Sequence, residues 1–296
     1  MNYRMKIRVA GYLFITPLII GFSLFVVLPL IFAVGVSFRE WNGLQSLLDT
    51  KFVGFGNYAK LFSDPQFQNA LLNTCKFVMG MVLGQSLLGL ILALALNSVT
   101  RGLGLLRSLF FLPSILSVIA VSLLWKSVMY TPSYGAINLI LKAFGFSSQP
   151  FLQSMEQAMG SIIWMTIWEY AGYYMILFIT GLKNIQTDFY ESARIDGANK
   201  FQEFTKITAP MLKPTILLVL VMNAIGSFQV FGPVFMMTMG GPGRATESVV
   251  TLMYNTAFSY SKFSYAVAMA MVLFVIIMLI TLVQMHLMRE GGLEEY

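Results

Sequence analysis

Long apolar runs alternate with short polar segments along the whole chain. Crossing a bilayer takes about 20 apolar residues in a helix, and the runs are of this length or longer. The pattern therefore predicts an all-α polytopic membrane protein, with the third span broken at Pro113. The first run is expected to remain as a span, because it is longer than a signal-peptide core and has no small-residue cleavage site. The six predicted spans cover residues 9–38, 77–99, 108–125, 158–182, 214–237 and 263–288.

Composition supports a membrane protein and narrows the possible chemistry. The chain is 57% hydrophobic and 11% charged, whereas about a quarter of the residues in a soluble domain are charged. Cys75 is the single cysteine and His286 the single histidine, which excludes an internal disulfide and most metal sites. Gly80, Gly84 and Gly89 are spaced for close packing of the second span against another helix.

The distribution of Lys and Arg predicts which ends of the spans face the cytoplasm. Eleven of these residues lie in the 59 residues of segments 1–9, 99–107, 183–213 and 287–296, against eight in the 99 residues of the intervening segments. Cytoplasmic segments carry the excess of positive charge, which also accounts for the net charge of +6. Both termini and segment 183–213 are therefore expected on the cytoplasmic side.

Segment 183–213 holds the longest charged stretch of the chain. Asp188 with Glu191, and Asn199 with Gln202, have the spacing of helix capping boxes. Gly197 lies between them, where a left-handed residue would end the first helix. We therefore expect two short helices joined by a sharp elbow. On these features alone, an ordinary amphipathic connector between spans is an equal alternative.

The motif spacing in this loop resembles the EAA loop of ABC-importer permeases. Glu191-Ser-Ala is followed after three residues by Gly197, and after nine more by Ile207-Thr-Ala-Pro210. Ser192 and Ala209 depart mildly from the family pattern. In that family the loop docks into a cleft on an ATPase subunit, so segment 183–213 is called the coupling loop below. The resemblance assigns the contact to Glu191, Ser192, Ala193, Asp196, Gly197 and Ala198.

Further motifs extend the resemblance to the MalF-like subunits of carbohydrate (maltose-type) permeases. They are Phe52-Val-Gly-Phe-Gly-Asn-Tyr58, Leu112-Pro113, Trp168, and Thr238-Met-Gly-Gly-Pro-Gly-Arg-Ala-Thr246. The resemblance implies one permease domain over residues 1–296. Residues 1–68 would form the N-terminal helix and an external loop, and 69–289 a MetI-like core of five helices containing the coupling loop. The implied partners are a second permease, two ATPase subunits and an extracytoplasmic solute-binding protein in a bacterial or archaeal plasma membrane.

Polar side chains inside spans are costly unless they serve a cavity, so they are the candidate substrate contacts. Glu169 is one, although it could also reach water at the outer end of its span or pair with Lys126 or Lys142. Asn223, Ser227 and Gln229 are others. Asn223 and Ser227 share a helix face, where they could equally form hydrogen bonds between helices.

The maltose-type resemblance adds specific pocket positions. It places Ser114 and Val118, Tyr170 and Tyr173, and Ser227 and Val230 where those permeases line their sugar pocket. Val118 and Val230 are apolar, so the ligand is expected to differ from maltose or to be held differently. The candidate substrate contacts are therefore Ser114, Glu169, Tyr170, Tyr173, Asn223, Ser227 and Gln229.

The chain lacks the sequence of a nucleotide-binding P-loop, since it contains no Gly-Lys-Ser or Gly-Lys-Thr. Active transport would therefore depend on separate ATPase subunits that bind ATP and magnesium, and the chain itself needs no cofactor. The sequence favours a permease of an ABC importer for a carbohydrate or oligosaccharide. The alternatives are an importer of a non-sugar solute, an ion-coupled secondary transporter and a membrane scaffold.

Overall fold

The computed structural model describes residues 3–46, 49–97 and 102–289, with side chains from residue 11 to residue 286 of these ranges. Arg101 and the C-terminal tail from residue 290, both used to predict orientation, lie outside the described residues. The helices are α1 (Tyr3–Phe22), α2 (Leu28–Ser37), α3 (Gly56–Ser63), α4 (Pro65–Asn97), α5 (Leu103–Ile115), α6 (Val118–Leu124), α7 (Ala136–Ala143), α8 (Ala158–Lys183), α9 (Thr187–Ile195), α10 (Lys200–Glu203), α11 (Ala209–Met211), α12 (Lys213–Phe228), α13 (Gly232–Met237), α14 (Val249–Tyr254) and α15 (Phe263–Arg289).

Shorter elements join some of these helices. Two antiparallel strands, β1 (Arg39–Glu40) and β2 (Lys51–Phe52), form a small ladder after the first span. A single 3-10 turn covers Phe151–Gln153. π-helical turns cover Ser23–Val27, Trp125–Met129, Phe204–Thr208 and Asn255–Ser259.

Four stretches of the described chain are helical, long and apolar enough to cross a membrane: Gly11–Ser37, Pro65–Asn97, Ala158–Lys183 and Phe263–His286. Two sharply bent helix pairs raise the number to six if each pair is one span. These pairs are Leu103–Ile115 with Val118–Met129, and Lys200–Met211 with Lys213–Phe228. The predicted all-helical polytopic class is confirmed.

The start of the second span and the position of the break in the third were predicted wrongly. The second span begins at Pro65, twelve residues before the prediction, because the polar residues of its first turns continue the helix. The third breaks after Ile115, with a 93° bend, and Pro113 lies inside α5. The break falls at Leu116 and Ser117, whose ψ angles of 153° and 126° are extended.

The fifth span is also interrupted where a continuous helix was predicted. Helix α12 ends at Phe228, and α13 begins at Gly232. Pro233 occupies the first turn of α13, where its missing N–H costs least, since the first N–H groups of a helix lack intrahelical acceptors. The interruption exposes the Gln229 side chain at the end of α12.

The described chain divides into two compact units. The larger contains Pro65–Leu252 and the chain from Leu273 onward, and α8 is its central helix, packed against α4, α5 and α12. Close packing by the glycines of α4 is confirmed. A Cβ built on Gly80 or Gly84 would collide with Ile163 or Ile167, and one on Gly89 would lie 2.9 Å from the Tyr174 Cβ.

The smaller unit contains the chain up to Asp64 together with Met253–Val272. Asn57 Nδ2 donates to the carbonyl oxygens of Ser37 and Arg39 at 2.8 and 2.9 Å, and Tyr58 Oη donates to Ser37 Oγ at 2.7 Å. The Asn-Tyr pair of the Phe52–Tyr58 motif therefore fixes the turn that follows the first span.

Candidate functional site

A cavity of about 290 Å³ lies within the larger unit, between α4, α8, α12 and the break that follows α12. This central cavity is lined by residues of mixed character but, among the described residues, by none that carries a charge. Its polar lining consists of Gln85, Thr166, Tyr170, Tyr174, Asn223, Ser227 and Gln229. Its other lining residues are Met81, Val118, Gly226, Val230, Phe231, Gly232 and Pro233.

Hydrogen bonds hold several of the polar lining groups in place. Ser227 Oγ donates to Asn223 Oδ1 at 3.0 Å, and Asn223 Nδ2 donates to Ser86 Oγ of α4 at 3.3 Å. Gln85 Nε2 donates to the Thr166 carbonyl oxygen at 3.0 Å. The Asn223–Ser227 pair thus forms the hydrogen bond between helices that was considered for it and also lines the cavity, while its contact with substrate stays a prediction.

The structure brings together four of the seven predicted substrate residues, Tyr170, Asn223, Ser227 and Gln229. Val118 and Val230 also line this cavity. They are the two apolar residues that the family resemblance places in the pocket. Ser114 and Tyr173 are not among the lining residues, and neither is Glu169. Ser114 Oγ donates to the Phe111 carbonyl oxygen at 2.7 Å, and the Tyr173 ring packs edge-on against the Tyr174 ring.

Glu169 lies near the middle of the 26-residue helix α8 and is 1% exposed. It neither reaches water nor pairs with Lys126, whose Nζ donates to the Met236 carbonyl oxygen at 3.1 Å. Both carboxyl oxygens lack a hydrogen-bond partner among the described residues. Glu169 precedes the cavity residue Tyr170, about 100° around the helix from it. A buried acidic group in a span is costly and usually marks a functional position.

Sequence reasoning missed several cavity residues. Gln85 and Thr166 carried a usable signal, because each is a polar residue inside an apolar span. Tyr174 lines the cavity where Tyr173 was expected, one residue further along α8. Phe231 and Pro233 could not have been found, since they reach the cavity only through the unforeseen break after α12.

The coupling loop forms the predicted elbow between two helices. Gly197 has φ +78°, in the left-handed region. Its N–H donates to the Arg194 carbonyl oxygen at 3.1 Å, and the Ala198 N–H donates to the Ala193 carbonyl oxygen at 2.9 Å. This pair of bonds is the Schellman arrangement that closes a helix at a left-handed residue.

Only one of the two predicted capping boxes is present. Asn199 Oδ1 accepts from the Gln202 N–H at 2.9 Å, and Gln202 Oε1 accepts from the Asn199 N–H at 2.8 Å. The predicted Asp188–Glu191 capping box was wrong. Helix α9 begins at Thr187 and has Gln186 as its N-cap, so Asp188 is inside the helix and is not the N-cap residue. Asp188 instead lies in the first turn, where the positive end of the helix dipole stabilises its negative charge.

Two side-chain contacts join the helices on either side of the elbow. Arg194 Nε donates to Glu203 Oε1 at 2.8 Å, and the Tyr190 and Thr208 hydroxyl oxygens lie 3.0 Å apart. The hydrogen bond and charge of Arg194 hold the pKa of the Glu203 carboxyl below its ordinary value.

The predicted contact residues are largely accessible on this elbow. Glu191, Ser192, Asp196 and Gly197 are exposed, and Ala193 and Ala198 are half-buried. Large apolar side chains are exposed beside them, with Ile195 at 87% and Phe201 at 75%. The elbow therefore presents small, charged and apolar groups on one accessible surface.

Comparison with known proteins places the chain in a family. The family of the "Binding-protein-dependent transport system inner membrane component" matches residues 85–290. The probable ABC transporter permease protein YurN of Bacillus subtilis is 34% identical over 288 residues, covering 96% of this chain and 97% of that protein. The trehalose/maltose transport system permease protein MalF of Thermococcus litoralis is 32% identical over 291 residues, covering 98% and 97%.

A solved structure agrees over nearly the whole length. It is that of a bacterial alginate ABC transporter in complex with an alginate pentasaccharide-bound periplasmic protein. One of its chains is 25% identical to this chain, with a TM-score of 0.83 and coverage of 97% of this chain and 96% of that one. The chain therefore belongs to the inner membrane components of binding-protein-dependent transport systems, and it is a multi-pass ABC permease rather than an enzyme.

Proposed function

We propose that this chain is a permease subunit of an ATP-driven importer of neutral oligosaccharides. It forms the translocation path with a second, similar permease. Two ATPase subunits supply the energy, and an extracytoplasmic solute-binding protein delivers the ligand. Transport proceeds by alternating access, in which closure of the ATPases on ATP switches the spans from inward-facing to outward-facing.

The observation that carries the proposal is the chemistry of the central cavity in a chain of this family. Its walls combine tyrosine rings with amide and hydroxyl groups. Sugars present apolar C–H faces and many hydroxyl groups, and these polar groups can donate to and accept from them. The related permease from Thermococcus litoralis is named for trehalose and maltose, and the solved neighbour for alginate.

The absence of charge on the described cavity walls favours a neutral ligand. An acidic sugar would lose its hydration in the cavity and find no cation from this chain to replace it, which is costly for a carboxylate. The nearby buried acid, Glu169, would not compensate. The related alginate transporter imports an acidic polysaccharide, so the proposed ligand differs from that of this neighbour.

Glu169 is proposed to accept hydrogen bonds from ligand hydroxyl groups as the spans move. Its two oxygens are unsatisfied among the described residues, and it adjoins Tyr170 on the cavity wall. Ser114 and Tyr173 remain proposed contacts of the same path, on the strength of the family resemblance alone. Ser114 lies on α5 and Tyr173 on α8, and these two helices pack against each other.

The coupling loop is proposed to dock on an ATPase subunit through Glu191, Ser192, Ala193, Asp196, Gly197 and Ala198. Its exposed position and rigid elbow suit transmission of a movement. This role places the loop and both termini in the cytoplasm of a bacterium or archaeon, in agreement with the density of Lys and Arg along the chain.

Uptake by proteoliposomes that contain the complete importer and its solute-binding protein tests the proposal. The probes are labelled maltose, trehalose and lactose, with cellobiouronic acid as the acidic disaccharide. We expect ATP-dependent uptake of at least one neutral sugar, unaffected by an ionophore, and no uptake of the acid. Loss of uptake on adding the ionophore would instead indicate an ion-coupled transporter, and preference for the acid would contradict a neutral ligand.

A further inference from the structure

A second polar cavity, of about 330 Å³, lies within the smaller unit, where the first span ends and the last one begins. It is called the interfacial cavity below. Its walls include Trp41 and Lys60 from the chain after α2, and Lys262 and Tyr265 from around the start of α15. Nothing in the transport path described above uses these residues.

The aromatic rings in this cavity are already engaged by other side chains. The Trp41 ring contacts the Phe32 ring at 6.2 Å and the Phe263 ring at 5.9 Å between centroids. Lys60 Nζ lies 5.2 Å from the centroid of the Tyr265 ring. The rings therefore serve to build the walls, and a sugar ring stacked on them would have to displace these partners.

The charged side chains on the cavity walls favour binding of an anion. Lys60 and Lys262 are both exposed, and neither forms an ion pair with another described residue. Glu40 is the one acidic residue on the walls, and it lies opposite Lys51 in the β1–β2 ladder. The walls thus carry two ammonium groups against one carboxylate, and the neighbouring Asp64 carboxylate already accepts from the Tyr265 hydroxyl at 2.7 Å. Each ammonium group can donate hydrogen bonds to an oxyanion.

Depth in the membrane indicates where that anion comes from. The first apolar span ends at Ser37 and the last begins at Phe263, so the cavity lies at the level of the lipid headgroups. Trp and Tyr are enriched at this level. Exposed apolar side chains adjoin it, with Leu44 at 87% and Phe258 at 65%, and the Phe258 ring contacts the Phe263 ring. A rim of this kind suits acyl chains better than a water-soluble protein.

We propose that the interfacial cavity binds the phosphate of an anionic phospholipid, with Lys60 and Lys262 as its cationic ligands. The headgroup occupies the cavity and the acyl chains follow the exposed apolar residues beside it. The bound lipid would hold together the ends of the first and last spans. The structure already links these ends by a hydrogen bond from the backbone N–H of Trp41 to Ser264 Oγ at 2.9 Å.

Native mass spectrometry of the detergent-purified importer tests this proposal. The complex is exchanged into phosphatidylglycerol or phosphatidylcholine, and the lipids retained by this chain are counted. Wild type, Lys60→Gln, Lys262→Gln and the double variant are compared. Lys142→Gln is the matched control, because Lys142 is an exposed lysine of α7 outside the cavity. A parallel arm adds inorganic phosphate in excess.

We expect wild type to retain phosphatidylglycerol in preference to phosphatidylcholine. Each cavity variant should weaken retention by about fivefold, because it removes one of two charge-assisted contacts to the phosphate, and Lys142→Gln should not. Equal retention in all variants would overturn the site. Binding of inorganic phosphate without any lysine-dependent retention of phosphatidylglycerol would overturn the lipid assignment. Unchanged lipid retention, with binding of the solute-binding protein lost in the double variant, would identify a protein contact instead.

Discussion

Arg194 and Glu203 lie on opposite sides of the elbow in the coupling loop, and Arg194 Nε donates to Glu203 Oε1 at 2.8 Å. The Glu203 side chain is 8% exposed, so the pair is anchored on a nearly buried acceptor, while Arg194 is 56% exposed. A charge-assisted hydrogen bond with one buried partner is worth more than an exposed ion pair. This contact fixes the angle between α9 and α10.

Replacing Arg194 is therefore expected to uncouple the elbow without unfolding the spans. Arg194→Gln leaves Glu203 without its close donor, so α9 should move more freely relative to α10. We expect ligand-stimulated ATP hydrolysis by the assembled importer to fall severalfold.

Lys200→Gln is the matched control. Lys200 Nζ also approaches Glu203, but at 3.5 Å and from an 85% exposed side chain, and such exposed pairs contribute little. A loss of stimulation as large in Lys200→Gln as in Arg194→Gln would show that the charge of the loop matters rather than the specific contact.

The same contact predicts how the elbow responds to acid. Because Arg194 lowers the pKa of Glu203 in the folded loop, the contact stabilises the loop fully above the ordinary carboxyl pKa and is lost as pH falls through the lowered one. Spin labels at Ile195 and Phe201, both exposed, report the angle of the elbow. We expect the distribution of distances between the labels to broaden only at strongly acidic pH in the wild type. In Arg194→Gln the broadening should begin at higher pH. Identical pH profiles would contradict the sign of the coupling.

Gly197 is expected to require its left-handed backbone rather than the space around it. A Cβ built on Gly197 meets nothing within 4 Å in the chain, so Gly197→Val costs about 1–3 kcal/mol from backbone strain alone. Asn tolerates this region far better. Ligand-stimulated ATP hydrolysis should therefore fall strongly in Gly197→Val and less in Gly197→Asn. Equal losses would point to the added bulk at the ATPase contact as the cause.

Glu169→Gln tests whether the buried acid serves the ligand. The amide has one acceptor oxygen in place of two, and leaving a buried hydrogen-bonding group unpaired costs about 1–3 kcal/mol. We expect saccharide uptake per assembled complex to fall about tenfold or more, with unchanged assembly and basal ATP hydrolysis. Unchanged uptake together with altered assembly would assign Glu169 a structural role only.

The sequence was sufficient for the class of fold and for four candidate residues that line one cavity, for identifiable physical reasons. Hydrophobic length determines a span, so the helices around Gly80 and Glu169 were found, and the spacing of Gly197 and Asn199 predicted the elbow. A break in the third span was predicted at Pro113 and lies after Ile115. The break after Phe228 was not foreseen, because it depends on tertiary packing around a proline that helices also tolerate.

The limits of periodicity explain why the residues that line the cavity differ from the predicted set. Adjacent residues on a helix lie about 100° apart, and two tyrosines in sequence cannot be told apart until the neighbouring helix is placed. The packing of α8 on α4 directs Tyr170 and Tyr174 into the cavity and leaves Tyr173 beside it. Residues that reach the cavity through the broken fifth span had no periodic signal at all.

The central claim is that ligand passes through the cavity lined by Tyr170 and Ser227. Removing one aromatic face costs about 0.5–1.5 kcal/mol of contact, and filling the Ser227 position with an apolar branched side chain removes a hydrogen bond and narrows the cavity. Tyr170→Ala and Ser227→Leu should therefore reduce uptake more than Tyr173→Ala does. All three variants should assemble with the ATPase subunits.

The measurement that tests this claim most directly is saccharide uptake per ATP hydrolysed in proteoliposomes containing wild-type or Ser227→Leu importer. The proposed path predicts that Ser227→Leu keeps the basal rate of ATP hydrolysis and loses most of its uptake. Uptake per ATP equal to that of wild type, at normal assembly, would contradict it and remove this cavity from the translocation path.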